Sequence, residues 1–479
     1  MKKLFYSFIF FMIFQSSYAQ PGSVDLSFGN NGSIIYNDNF IISNSLIQPD
    51  GKIAVMGYEA GVANAVIKRY HLDGSLDTSF QFQSGITHLF SAALDAKLLS
   101  DGSYVAMTIF TNDLDVGPFF INLVKINADG SKNTAFNSPV ILADMSNEYL
   151  FFMGSDGKPG YYSSPNQSTT GMVNVTKFLP NGALDFTFGN NGVKEVTIFN
   201  NPPDLISFED MDNSLIADDA GNFYFTFKMG NDYYISKTDL NFNTFQQLIH
   251  NNIGRKYTFY HNNALYNGYS HGQGNSLQKF SSAGFIPDMT YGTNSVAHAN
   301  FPINNFQNLT TSGFIQPDGK GVVISAYSTE MKISRFMDNG TVDPAFGNNG
   351  TLAFASSFPA GYNMSALYAA PTKKLYIINV DEDNARFMMT RIDLGETALS
   401  VNDIKSEKPF SIFPNPVSDY VYFPENIVEV SIIDLSGRKL FKTKVSDRKV
   451  DLSHLTSGTY FIQTKNSKNE MNQQKLIKK

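Results

Sequence analysis

Histidine is the side chain best suited to move protons or bind metal near neutral pH. The chain has seven: His71, His88, His250, His261, His271, His298 and His454. None stands in an H-E-x-x-H or H-x-H pair, so zinc catalysis has no support. Cysteine is absent, which excludes disulfides, thiolate metal sites, iron–sulfur clusters and cysteine nucleophiles. Gly268–Gly274 (GYSHGQG) is glycine-rich but lacks both phosphate-binding contexts, and no G-x-S-x-G elbow occurs. Asp113, Asp115, Glu209, Asp210 and Asp232 lie in irregular stretches and could converge in space, yet nothing separates them from surface charge. Many Asp-Gly pairs invite Ca²⁺, but a calcium site needs six or more oxygens and no D-x-D-x-D-G loop is present; turn chemistry is the preferred reading. His261 and His271 share a stretch with Tyr257, Tyr260, Tyr266 and Tyr269, a patch that could stack on a sugar, although packing between sheets is favoured. No residue is therefore assigned a catalytic, metal or cofactor role. The chain reads as a non-enzyme without a cofactor, Ca²⁺ staying open.

The remaining charged pattern is periodic. Arg69, Lys125, Lys177, Lys237, Lys279, Arg335 and Arg391 each follow apolar residues and precede a turn, and they stand 56, 52, 60, 42, 56 and 56 residues apart. Most are followed by an aromatic at a fixed distance, as in VIKRYHLDGSLDTSF ending at Phe80 and KISRFMDNGTVDPAF ending at Phe346. A ring of such charges could bind an anion; a structural role at a solvated or sheet-edge position is the preferred expectation. A second pattern, a turn and then an alternating apolar strand, recurs seven times, clearest in IQPDGKIAVMGY and IQPDGKGVVISAY. The first repeat holds four runs of strand character, Ser33–Tyr36, Ser43–Ile47, Ile53–Tyr58 and Ala65–Tyr70. Asp-Gly and Asn-Gly supply the positive φ of tight hairpins, so neighbouring strands should be antiparallel.

Four strands repeated seven times predict an all-β chain with a seven-bladed β-propeller. A lone motif tail, PGSVDLSF ending at Phe28, opens the repeat region, and a lone head, MMTRIDLG, closes it at Gly395. A ring uses that complementarity because the first segment can complete the last sheet, and an open solenoid does not. The D-G-S-L-D-x-S-F segments, with the upstream Q-P-D-G-K-I, resemble the delta-60 repeat family over about Gly22 to Gly395. That resemblance implies a propeller-like binding scaffold and no activity.

Both ends carry addresses. Lys2 and Lys3 precede a run from Leu4 to Phe14 in which Ser7 alone is polar, and Ser17-Tyr18-Ala19 follows. This is the pattern of a secretory signal peptide over residues 1–19, cleaved between Ala19 and Gln20. No second such run occurs, so no transmembrane segment is expected in the mature chain. Residues 20–395 form the repeat region, 396–408 a polar linker, and 409–479 a final domain whose alternating strands predict a small C-terminal β-sandwich. Phe413-Pro414-Asn415-Pro416, Asp434 with Gly437-Arg438, the L-x-x-G-x-Y segment with Gly458 and Tyr460, and the terminal Lys478-Lys479 resemble the type A C-terminal sorting domain of the type IX secretion system of Bacteroidetes. The resemblance implies that these residues form the sorting signal and that the chain crosses the outer membrane. It also implies removal of the domain, and release or surface attachment.

Charge divides the chain. From Ile404 onward there are 13 Lys/Arg against 8 Asp/Glu; the rest, without Lys2 and Lys3, has 21 against 35. So acidic a repeat region excludes nucleic acid as a partner. The expected partners are the type IX machinery and an extracellular glycan or protein. A secreted glycan-active enzyme and an adhesive surface protein are the alternatives.

Overall fold

The computed structural model describes residues 21–395 and 416–479, less segments 84–88, 113–116, 166–170, 200–201, 208–214, 243–244, 251–255, 304–308, 359–363, 424–426, 435–438 and 467–470 and positions 61, 81, 203, 205, 219, 231 and 328. The chain divides into two compact units, up to Ala398 and from Leu399.

The first unit consists of antiparallel sheets, seven among the described residues, each with four or five strands. Sheet 1 comprises Phe40–Ile47, Ile53–Glu59, Val62–Tyr70 and Phe82–Gln83. Sheets 2 to 6 begin with the strands Phe90–Leu98, Asn147–Met153, Ile206–Ser207 with Leu215–Ala217, Lys256–His261 and Thr310–Ile315. Sheet 7 contains Met364–Ala369, Lys374–Asp381 and Arg386–Asp393, then Ser23–Val24 and Ser33–Tyr36 from the other end of the chain. Each first strand touches the first strand of the next sheet, and Met364–Ala369 touches Phe40–Ile47. The ring closes: this is a β-propeller. Its apolar cores lie between neighbouring sheets, as where Ile53, Val55 and Tyr70 meet Tyr376, Ile378 and Phe387.

The periodic basic residues hold the sheets together. Arg69 lies on the third strand of sheet 1, and its Nε and Nη2 each donate to Asp77 Oδ2 at 2.8 Å. The guanidinium stands 4.4 Å over the Phe80 ring, and Nη1 donates to the Ala128 carbonyl of sheet 2 at 3.0 Å. Asp77 Oδ1 accepts the Ser79 hydroxyl and amide at 2.5 and 3.1 Å. Each residue type of D-x-S-F thus has a use: the aspartate divides its oxygens between turn and cation, and the phenylalanine floors the guanidinium. Arg335, Asp343 and Phe346 repeat the arrangement at 2.8 and 4.7 Å, with Nη1 on the Leu394 carbonyl of sheet 7. Lysine copies are looser: Lys279 lies 3.0 Å from Asp288 and 5.7 Å from the Tyr291 ring, and Lys237 donates to the Ser282 carbonyl at 2.9 Å. Arg69, Lys177 and Arg335 are buried, so the expected solvated or sheet-edge position is corrected to a buried clamp between sheets.

The two half-motifs unite in sheet 7. Arg391 donates to Asp25 Oδ2 at 3.0 Å, covers Phe28 at 4.6 Å and reaches the Leu72 carbonyl of sheet 1 at 3.2 Å. Ser33–Tyr36 pairs with Arg386–Asp393, so the sequence repeat straddles two sheets: its leading run completes the preceding one. Gly74 shows how tightly the turns meet, since at φ +84° a Cβ there would lie 2.3 Å from Ile34 Cδ1.

The second unit has a four-stranded sheet, in order Lys439–Lys444, Ile427–Ile433, Gly458–Asn466 and Met471–Lys478, and a two-stranded one of Tyr420–Tyr422 and Lys449–Asp451. They share one core including Val421, Val430, Val450, Ile462 and Leu476, a small β-sandwich.

Removing Asp77 or Asp343 leaves a buried guanidinium without its carboxylate, so D77A and D343A are each expected to lower unfolding stability by about 3 kcal/mol. D288A breaks a more exposed lysine pair and is expected to cost about 1 kcal/mol; denaturant titration checks both. Burial raises the pKa of Asp25, but the Ser27 hydroxyl, Arg391 and Lys374 outweigh it and hold the carboxyl at about 2. Asp77 is likewise held well below the usual range by Ser79, Lys52 and Arg69 against the cost of burial. Both carboxylates are more acidic folded than unfolded. Their stabilisation is present above the ordinary value of 3.8 and lost as pH falls through the lowered folded values, for Asp25 at about 2. Melting temperature should drop across that window, and the drop should shrink in D25N.

Candidate functional site

The first strands line a central cavity of about 290 Å³. Its wall is shaped by two β-bulges. In sheet 1 the register shifts between Ile42 and Asn44, and in sheet 2 between Ala93 and Asp95. A bulge re-aims the side chains around it, and here Ser43, Asn44, Leu94 and Asp95 all line the cavity. Asn44 Oδ1 and Asp95 Oδ1 each accept the following residue's amide, from Ser45 and Ala96, at 2.7 Å. Asn44 Nδ2 donates to Asp95 Oδ1 at 2.9 Å, and Lys97 Nζ donates to Asp95 Oδ2 at 2.7 Å. Asp95 and Lys97 are the only charged residues described in the wall. The wall also includes Leu150, Leu215, Tyr257, Met364 and Leu367, so among the described residues one ion pair sits in a partly apolar lining.

Of these residues the sequence singles out Tyr257 but not Asn44, Asp95 or Lys97. The available signal was their phase: Asn44 and Asp95 both stand seven residues before the turn glycines Gly51 and Gly102. The aromatic patch, by contrast, is dispersed. Tyr257 reaches the cavity, Tyr266 packs against Tyr291 with ring centroids 6.0 Å apart, and Tyr260 borders another core. His271 stacks on His298 at 4.9 Å, and Ser276 Oγ lies 3.1 Å from His271 Nε2 and 2.8 Å from His298 Nδ1. His271 Nδ1 accepts the Gln273 amide, which places the proton on Nε2, facing Ser276. Burial lowers the pKa of both rings, that of His271 further through His298. No carboxylate orients either ring in this network. Gly268–Gly274 spans strand and hairpin in sheet 5. The Asp-Gly turn carboxylates serve their own turns, as Asp73 does for the Ser75 amide and hydroxyl at 2.9 and 2.6 Å. Among the described residues no three His, Cys, Asp or Glu side chains are grouped as metal ligands. Asp113, Asp115, Glu209 and Asp210 lie outside the described residues, and Asp232 begins a strand of sheet 4.

In the C-terminal unit Gly458 pairs with Lys478, and Tyr460 with Leu476. The Tyr460 hydroxyl donates to the Thr456 carbonyl at 2.9 Å. Val417 donates to the Ile477 carbonyl and accepts the Lys479 amide, both at 2.8 Å, so Pro416 and the terminal lysines meet at one end. Lys478 is buried, its Nζ on the Lys479 carbonyl at 3.0 Å. Asp434 follows the strand Ile427–Ile433. Phe413, Pro414, Asn415, Gly437, Arg438, Ala19 and Gln20 lie outside the described residues.

Residues 411–479 match the secretion system C-terminal sorting domain, and residues 48–80 and 316–346 match the domain of unknown function (DUF5122) beta-propeller. The two propeller matches end at Phe80 and Phe346, the floors of the two arginine clamps. No curated protein matches the chain. Among solved structures it is similar to PorZ, an essential bacterial surface component of the type-IX secretion system of Porphyromonas gingivalis, at 12 % identity and TM-score 0.41, over 92 % of this chain and 59 % of that one. It is similar to prolyl oligopeptidase B from Galerina marginata at 8 % identity and TM-score 0.42, over 90 % and 56 %. The Dos1 propeller is similar at 10 % identity and TM-score 0.40, over 74 % and 78 %. The chain spans under two thirds of the first two, and likeness at this level concerns the fold alone. By its sorting domain the protein belongs with cargo of the type IX secretion system, exported to the cell surface or the medium. Among the described residues no helix is long and apolar enough to cross a membrane.

Proposed function

We propose that the mature chain is an extracellular binding protein, a rigid propeller that receives its ligand at the central cavity and is separated from its sorting domain on export. The supporting observation is the Asn44–Asp95–Lys97 constellation, held by two bulges before any ligand arrives. Preorganisation of this kind lowers the ordering cost of binding. A glycan-active enzyme would use two carboxyl groups across the bond; the described wall supplies Asp95, held by Lys97. The propeller scaffolds the ligand, and the sorting residues Pro416, Gly458, Tyr460, Lys478 and Lys479 serve delivery.

Mature protein from Gln20 is to be screened against a polysaccharide panel, recording binding and product release together, with and without Ca²⁺. Saturable binding without product is expected. Product formation would overturn the reading, and silence in both channels would favour a protein partner or an adhesive role. The exported form is expected to lack residues 411–479 by intact mass; finding them still attached to the surface-exposed protein refutes removal.

A further inference from the structure

The cavity's chemistry limits what it can hold. Among the described residues the wall carries one carboxylate and one ammonium at 2.7 Å, and these two charges compensate each other. The pair still has capacity. An ammonium has three donors and Lys97 uses one on Asp95, while among the described residues Asp95 Oδ2 accepts from Lys97 and can accept again. An N–H donor thus stands one hydrogen bond from a free carboxylate lone pair. Two hydroxyls on adjacent carbons fit this spacing, one donating to Asp95 Oδ2 and its neighbour accepting from Lys97 Nζ. Ser43 and Ser365 add hydroxyls to the wall. Leu150, Tyr257, Met364 and Leu367 supply an apolar surface for the C–H face of a ring. Volume sets the size: about 290 Å³ lies at the bottom of the range of roughly 300–1,000 Å³ for small-molecule sites, enough for one ring.

Resting on the binding reading above, we infer that the central cavity takes a single uncharged sugar ring, recognised through a vicinal diol by Asp95 and Lys97 and stacked on the apolar wall. A charged sugar would bring a charge that the mutually compensated pair leaves unbalanced, so anionic and amino sugars are both selected against.

The test is calorimetry on the mature chain with neutral hexoses, glucuronic acid and glucosamine as separate probes. A neutral hexose is expected to bind saturably and the two charged sugars at least about tenfold more weakly, the cost of a mismatched charge-assisted contact. D95N and K97M should each weaken hexose binding by about tenfold or more. Either variant could loosen the inner wall, so Ser43→Phe supplies an independent check. Ser43 is an exposed bulge residue, and a ring there fills the cavity without touching the ion pair; binding should vanish while the melting temperature holds. Preference for the charged sugars, or hexose binding untouched by Ser43→Phe, overturns the inference. Should the chain bind a polysaccharide or protein but none of these sugars, the cavity assignment fails and the binding reading survives. If it binds nothing in either screen, the cavity assignment and a glycan ligand both fail, leaving a protein partner or an adhesive role.

Discussion

The structure depends on a cation clamped between an aspartate and an aromatic ring within its own repeat and a carbonyl of the next. Sheets packed only through apolar faces can slide, because hydrophobic burial has no direction. The guanidinium of Arg69 or Arg335 has direction. Its planar fork fixes the aspartate on one side, its face lies on the phenylalanine, and its remaining N–H reaches the neighbouring sheet. Such a buried ion tolerates desolvation because a carboxylate and a carbonyl partner it. Where the tail changes, the clamp weakens: Asn133 stands where Asp77 does in the first repeat, and Lys125 is left 3.8 Å from Asp101.

The same unit explains the unusual ends of the repeat region. The half-motif at Asp25–Phe28 is incomplete until Arg391 arrives from 366 residues away, and the Tyr376 hydroxyl adds a bond to the Leu72 carbonyl at 2.7 Å. Closure removes the free edges that an open stack would expose, and it encloses the channel. The channel in turn can hold a small, preorganised polar cluster because the inter-sheet cores, not the inner wall, carry the packing.

Much of this was legible in the sequence. The antiparallel hairpins and ring-closing ends followed from spacing, because turns and motif tails are local, and the sorting domain followed from its resemblance to a known family. The basic residue, aspartate and aromatic of each clamp were visible as a pattern, but their burial was not: the third partner, Ala128 for Arg69 or Leu394 for Arg335, lies one repeat onward. Ser33–Tyr36 was assigned to its own repeat and lies in sheet 7, because strand identity says nothing about which neighbour accepts the hydrogen bonds. Asn44 and Asp95 are not legible in the sequence because a bulge interrupts the alternation that marks a strand, and they meet only across two sheets.

The most direct test of this account is a double-mutant cycle on Asp25 and Arg391, read by denaturant unfolding of the mature chain. If the clamp joins the two ends, D25A and R391A share one interaction, and their combined effect should fall short of the sum by at least about 1 kcal/mol. Effects that add within about 0.5 kcal/mol would contradict it, showing that the ring closes by strand pairing and apolar packing alone.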